Sequence, residues 1–427
     1  MLAMLMVFFV LLILGMPIAF AIGLSGATFF LQHSDIPLSI IVQKVVSSTQ
    51  SFPLLAIPFF ILAGNLMNET GITSRLIKLS TVLTGHMAGG LAQVSVVLST
   101  LMGGISGSAT ADAAMEARVL GPDMIKAGYS KGYSAAVVGL TSLITCTIPP
   151  SLGFILYGYV GEVSIGRLFA AGIVPGLMMM ALLMITVSIT AKKKGYAPIN
   201  SGKPAFREII VAIKDSIWAL LFPVILIVGI RFGLFTPSEA GAFAAVYALF
   251  VGVVVYRELT WERFKRTLDE TIVDIGAIML IIALSGIFGY GLVYDRAPQA
   301  LAGFITGITT NPYVLTLIII TFLIVSGMFI ESTVCVLLLT PIFLPVARSA
   351  GIDPVHFGVV MMTIVTMGIM TPPVGVAMYT VCSIFDCPVE EFVKDSIPFI
   401  LAIVLLVINL IFFPQIVLFV PNLIFGQ

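Results

Sequence analysis

Long uncharged apolar runs set the rhythm of the chain: Leu2 to Leu31, Ser216 to Ile230, Tyr313 to Ile330 and Phe399 to Phe413. Several reach or approach the roughly 20 residues that carry a helix across a bilayer core. The pattern predicts an all-α integral membrane protein in contact with the lipid bilayer, with nine or ten crossings. The count depends on Leu2 to Leu31, which is either one long tilted helix or two short segments broken at Gly15 and Pro17. The first 30 residues lack a positive start and run too long for a signal sequence, so they are expected to stay as membrane helix.

The most polar stretch runs from Lys192 to Asp215 and carries Lys192, Lys193, Lys194, Lys203, Arg207 and Lys214. Short basic loops remain in the cytoplasm, so residues 192–214 are expected to link two membrane halves on that side. Arg257, Arg263, Lys265 and Arg266 form a second basic cluster, with Ser216 to Arg231 and Glu239 to Tyr256 crossing out and back between the two.

Sliding the chain on itself by 223 positions exposes an ungapped repeat. Gly104 falls on Gly327, Thr110 on Thr333, Ala127 and Gly128 on Ala350 and Gly351, Pro149 and Pro150 on Pro372 and Pro373, and Pro175 on Pro398. Apolar matches arise easily by chance, but a Pro-Pro pair, a third proline and two glycines at one offset do not. Residues 1–191 and 215–427 are therefore expected to be structural copies. With an odd number of crossings in each copy around a cytoplasmic linker, the copies sit inverted, as in many secondary carriers.

Each copy contains two apolar stretches interrupted by residues that a plain membrane helix avoids. The first kind is LMGGISGSATADA at Leu101 to Ala113, matched by IVSGMFIESTVCV at Ile324 to Val336. Glycines allow a sharp turn between the apolar flanks, predicting re-entrant hairpins at about 89–125 and 312–348. Non-helical backbone at membrane depth survives only inside protein or beside a water-filled cavity. The second kind is TCTIPPS at Thr145 to Ser151, matched by GIMTPPV at Gly368 to Val374. Paired prolines remove amide donors and free the carbonyls before them, predicting broken helices at about 133–162 and 356–385.

Hydroxyls and freed carbonyls without a carboxylate suit a monovalent cation such as Na+. Two related sodium sites follow, one from Gly104, Ser106, Ser108, Thr147 and Pro149, the other from Gly327, Ile330, Thr333, Met370 and Thr371. Asp112, Glu116, Arg118, Asp123 and Glu331 are costly inside a bilayer. Asp112, Glu116 and Arg118 stand at one-turn spacings, so they are expected to pair with each other along a hairpin arm.

Charged residues make up only 10% of the chain and hydrophobic ones 59%, with 21 basic and 21 acidic side chains giving zero net charge. That excludes a water-soluble fold and leaves no basic surface for nucleic acid. Cys146, Cys335, Cys382 and Cys387 form no CxxC pair and read as small core residues. His33, His86 and His356 are too dispersed for a metal centre beyond sodium. The GISG at Gly104 to Gly107 matches the surround of an intramembrane serine nucleophile, but no histidine lies in a central segment to activate it, so no enzyme is expected. A passive channel would reuse exposed carbonyls as a filter, yet inverted copies in one chain point to alternating access.

Five motifs together carry a family likeness: GMPIAFAIGLSG near the start, AIPFFILAGNLM at Ala56 to Met67, GGISGSATADAAM at Gly103 to Met115, IPPS at Ile148 to Ser151 and MTPPVGV at Met370 to Val376. Over essentially the whole length the chain resembles the DctM-like large subunit of tripartite ATP-independent periplasmic (TRAP) transporters, in its sialic-acid, SiaM-type branch. The resemblance implies a bacterial inner-membrane elevator: a scaffold, a mobile transport region holding hairpins and broken helices, and amphipathic arms between them. It implies two partners, a small TRAP membrane subunit and a periplasmic substrate-binding protein. The cargo would be an organic acid coupled to sodium, with C4-dicarboxylate the alternative to sialic acid. Ser108, Thr110, Pro150, Ser332 and Pro373, at the interface between the tips, are the substrate residues expected.

Overall fold

The computed structural model describes residues 2–200, 202–309 and 311–426, and among these the regular structure is helical, with no strand. Seven helices are long and apolar enough to cross a membrane, and two bent pairs raise the number to nine. The N-terminal run resolves into two helices, Leu2–Ile13 and Ile18–Gln32, packed on each other. Gly15 makes the turn between them at φ +78°, a left-handed conformation that glycine adopts without a side-chain clash.

Helix starts follow local chemistry. Ser130 Oγ accepts from Tyr133 N at 3.3 Å, Asp353 Oδ1 from Val355 N at 2.8 Å, and Asn311 Oδ1 from Tyr313 N at 2.9 Å. Each satisfies an amide that lacks a partner in the first turn. The 30-residue helix Ile165–Lys194 stops where Gly195 turns left-handed at φ +75°.

The linker is partly helical: Phe206–Asp215 forms an amphipathic helix that packs on Ile72–Thr84 and bends by 64° into Ile217–Arg231. Lys78 Nζ holds Asp215 Oδ2 at 2.9 Å across the first of these contacts.

The element order recurs at the sequence offset. Ala109–Lys126 corresponds to Ser332–Ser349 residue for residue, since 109 + 223 = 332 and 126 + 223 = 349, and Lys131 and Pro354 open the next helices (131 + 223 = 354). Gly90–Gly103 before the first tip answers to Pro312–Phe329 before the second.

The copies interleave in space. Val389–Phe412 packs on Lys131–Thr141, Val376–Phe385 on Ala109–Lys126, and Ser332–Ser349 on Leu152–Gly161. At the centre, Pro354–Gly368 is buried from Val355 to Gly368 and Lys131–Thr141 from Gly132 to Thr141, as helices apolar on every side must be. Around them, Ile18–Gln32, Ala56–Glu69 and Pro237–Phe250 gather on the 34-residue helix Trp261–Tyr294 or on one another. That long helix leaves Ile272, Val273, Leu280 and Val293 exposed, a face suited to hydrocarbon rather than water.

Candidate functional site

The first hairpin tip spans Gly104 to Ser108, between Gly90–Gly103 and Ala109–Lys126. Gly107 turns left-handed at φ +66°, and a Cβ there would meet the Pro150 carbonyl at 2.8 Å, so the tip rests directly on the break in the following helix. The cysteine of that break joins the two from the other side. Ala109 N donates to Cys146 Sγ at 3.2 Å, and the thiol faces Gly107 O at 3.6 Å. Ser108 Oγ caps the outgoing arm by accepting from Ala111 N, and Ser106 Oγ accepts from Ser108 N at 3.3 Å.

The second tip, at Ile330 and Glu331, lies between Pro312–Phe329 and Ser332–Ser349. Here glycines make the approach: a Cβ on Gly368 would strike the Gly327 backbone at 2.6 Å, and one on Gly327 would meet Val365 O at 2.8 Å. Gly375 N donates to Met328 O at 2.8 Å, binding the far side of the break to the hairpin. Both breaks contain a cis Pro-Pro bond, Pro149-Pro150 and Pro372-Pro373.

Ser106, Ser108, Pro149 and Pro150 thus gather at the first tip, Gly327 lies on Gly368 at the second break, and Ile330 forms the second tip itself. Met370 and Thr371 follow Gly368 in that break, with the Met370 sulfur turned toward Gly139. Two expected ligands point elsewhere. A Cβ on Gly104 would meet Pro223 Cγ at 2.9 Å, placing that glycine against Ile217–Arg231, and the Thr147 carbonyl faces Gly172 on Ile165–Lys194. Thr147 and Thr371 hydroxyls donate within their own turns, to Leu143 O and Gly368 O. Ile330 O takes the Cys335 thiol at 3.7 Å. Among the residues expected to touch the cargo, Ser108, Thr110 and Pro373 keep some exposure, while Pro150 and Ser332 are buried.

Two expectations about charge fail. Each tip does have a carboxylate. Asp112 is 1% exposed with the Ser106 and Thr145 hydroxyls as neighbours. Glu331 caps the second arm, accepting from Thr333 N at 2.7 Å and from Ser332 Oγ at 2.8 Å. Nor do Asp112, Glu116 and Arg118 pair with one another. Arg118 is exposed, and Glu116 is fully buried, accepting from Ser95 Oγ and Ser99 Oγ at 2.7 Å each. The helical spacing does not bring them together because the arm turns its acidic face inward and Arg118 outward.

Position 331 stands 223 beyond Ser108, so the two arm caps are equivalent by number, and that equivalence was the signal for Glu331. Gly172 and Cys146 carried no comparable signal.

A family model, "Tripartite ATP-independent periplasmic transporter, DctM component", matches residues 5–416. The sialic acid TRAP transporter large permease protein SiaM of Vibrio cholerae is 37% identical over 416 residues, covering 97% of both chains. The C4-dicarboxylate TRAP transporter large permease protein DctM of Pseudomonas aeruginosa is 33% identical over 402 residues and 94% of both. The crystal structure of the Alcanivorax borkumensis YdaH transporter superposes with a TM-score of 0.61 over 88% of each chain at 12% identity, a likeness of fold. Full-length matches of this kind, on a chain of apolar helices with two hairpin tips seated on broken helices, leave one conclusion: the protein belongs to the DctM family, the large permease components of TRAP transporters, and is a multi-pass protein of the bacterial inner membrane.

Proposed function

We propose that the chain carries an organic acid inward on a sodium gradient, sialic acid foremost, by an elevator movement of the hairpins and broken helices against the surrounding helices. The observation that carries this reading is the pairing of each hairpin tip with its own Pro-Pro break, repeated at one offset. Tips, breaks and the hydroxyls beside them concentrate oxygen ligands in a protein-lined interior, the setting in which carriers hold cation and substrate. C4-dicarboxylate is the second reading, drawn from the Pseudomonas relative.

Inversion of the two copies has its own support. Lys131 Nζ holds Asp386 Oδ2 at 2.9 Å and Lys194 Nζ holds Asp395 Oδ1 at 2.7 Å, so the linker end and the start of the first broken helix share a face. Arg348, at the close of the second hairpin, instead donates to Gly161 O at 2.8 Å, at the other end of that broken helix. The hairpins therefore enter from opposite faces. The partners are a small membrane subunit and a periplasmic binding protein, the remaining components of a tripartite system.

The test is uptake into proteoliposomes holding the complete transporter, with inward sodium and labelled sialic acid or succinate. Sodium-dependent, saturable uptake of one acid is the expected result. Ser106→Ala and Thr333→Ala should each raise half-saturating sodium by about threefold to tenfold, as loss of one ligand or its neighbour does. Equal uptake with potassium, or unchanged half-saturating sodium in both variants, would overturn the sodium assignment.

A further inference from the structure

The polar linker ends in a short helix, Phe206–Asp215, that sets two chemistries side by side. Phe206, Ile210 and Ile213 recur at the i, i+4 and i+7 spacing that lines one side of a helix. All three are exposed, at 77%, 39% and 39%. The helix packs on Ile72–Thr84 and buries Ala212, a contact that leaves the apolar stripe uncovered.

Arg207 and Lys214 stand two turns apart on one flank of the stripe, both exposed. Among the described residues neither makes an ion pair. The two acids of the helix are engaged within the fold instead. Glu208 Oε2 accepts from Ala205 N at 3.2 Å, closing the first turn, and Lys78 Nζ holds Asp215 Oδ2 at 2.9 Å. What the helix presents outward is therefore an apolar stripe beside two uncompensated positive charges.

Water is a poor neighbour for such a stripe, and the geometry supplies a better one. The helix bends by 64° into Ile217–Arg231, the crossing that follows the linker. A helix turned that far from a crossing neighbour runs closer to the membrane plane than to its normal, and only Ser216 separates the two. An amphipathic helix in that position sinks its apolar face to the boundary of headgroups and acyl chains and keeps its lysine and arginine among the headgroups. Anchoring there also bears on the site, because Ile72–Thr84 leads through Gly85 toward the first hairpin, and Ile199 N and Asn200 N of the same linker donate to Gly85 O at 2.8 and 3.0 Å.

We propose that Phe206–Asp215 is an interfacial helix of the cytoplasmic leaflet and that Arg207 and Lys214 bind the headgroups of anionic phospholipids. The stripe adjoins the chain's own crossing, and its flanking charges complement the negative surface of that leaflet. The contact depends on neither the cargo nor the coupling ion.

The complete transporter in nanodiscs provides the test. The native cysteines of this chain are buried, so Phe206→Cys offers a thiol for a polarity-sensitive fluorophore, with label taken up by the unaltered complex subtracted. Ile210→Cys repeats the measurement should the first change disturb the helix. The quenchers are phosphatidylglycerol and phosphatidylcholine, each with a nitroxide high on one acyl chain, at matched mole fractions. Emission should be that of an apolar setting, and at low salt half-maximal quenching should need about fivefold less of the anionic probe for each cation. Adding Arg207→Gln and Lys214→Gln together should bring the two probes level. Equal quenching by both probes before those changes, or an anionic preference that survives them, would overturn the headgroup assignment. Apolar emission that neither probe quenches would place the stripe against the small subunit, and emission typical of water would leave the helix in solution; either result would overturn the interfacial helix itself.

Discussion

Single residues decide how closely the parts of the site approach. Gly172, on Ile165–Lys194, has the Thr147 carbonyl so near that an added Cβ would strike it, with Phe154 Cε2 at 2.7 Å on the other side. Gly276, on the exposed flank of Trp261–Tyr294, has nothing within 4 Å of the same added atom. Gly172→Ala should therefore lower stability by about 1–3 kcal/mol through overpacking. Because the Thr147 carbonyl faces Gly172 and not the hairpin tip, half-saturating sodium should stay unchanged in the protein that still folds. Gly276→Ala should be neutral, or stabilising by up to about 1 kcal/mol. Thermal melts of the two variants, with uptake normalised to folded protein, check the pair. Neither glycine was legible as special in the sequence, because what distinguishes them is a neighbour far away in the chain. Asp112 and Glu331 were visible as ionisable residues in apolar surroundings, and the offset from Ser108 marked Glu331 as an arm cap, but nothing in the spacing of Asp112 said that it closes on the Ser106 and Thr145 hydroxyls.

At the level of elements, the sequence foretold most where chemistry repeats. Pro-Pro pairs, tip glycines and arm starts recur at one offset because each copy must break and turn its backbone at the same points. What did not repeat was harder to see: the acid group of the first arm, and the exposure of Pro372 and Pro373 against the burial of Pro149 and Pro150. The contact that ties the two broken helices together also escaped prediction. Lys131, opening the first, donates to Asp386 O at 3.0 Å and to its Oδ2 at 2.9 Å, and Asp386 closes the second. The hydrogen bond and charge of Lys131 hold the Asp386 carboxyl below the usual carboxylate range. A lowered acid stabilises the fold above its ordinary titration range, and that help fades as pH falls through the lowered value. Lys131→Ala should thus reduce the melting temperature slightly near neutrality, as exposed ion pairs are weak, and the gap from the unaltered protein should close as the pH falls below the ordinary carboxylate range. Melts at neutral and acidic pH measure it, and a gap that widens in acid would contradict the assignment.

For the whole molecule, orientation follows from a few contacts and one charge rule. The basic stretch after Lys192 is bound to the approach of the first hairpin: Ile199 N and Asn200 N donate to Gly85 O at 2.8 and 3.0 Å, and Gly89 N donates to Tyr196 O at 3.2 Å. Wherever the linker lies, the open end of the first hairpin lies too, and the Arg348 contact with Gly161 places the second hairpin on the other face. Excess lysine and arginine keep such a loop in the cytoplasm. The four native cysteines are all buried, so a thiol placed at the exposed Asn200 would be the accessible target for a membrane-impermeant maleimide. Asn200→Cys should label after the cells are opened and stay unlabelled in intact spheroplasts. A cysteine replacing Glu162, exposed just beyond Gly161, should behave in the opposite way. Labelling of position 200 from outside would turn the molecule over, sending the second hairpin to the cytoplasm and the first to the periplasm.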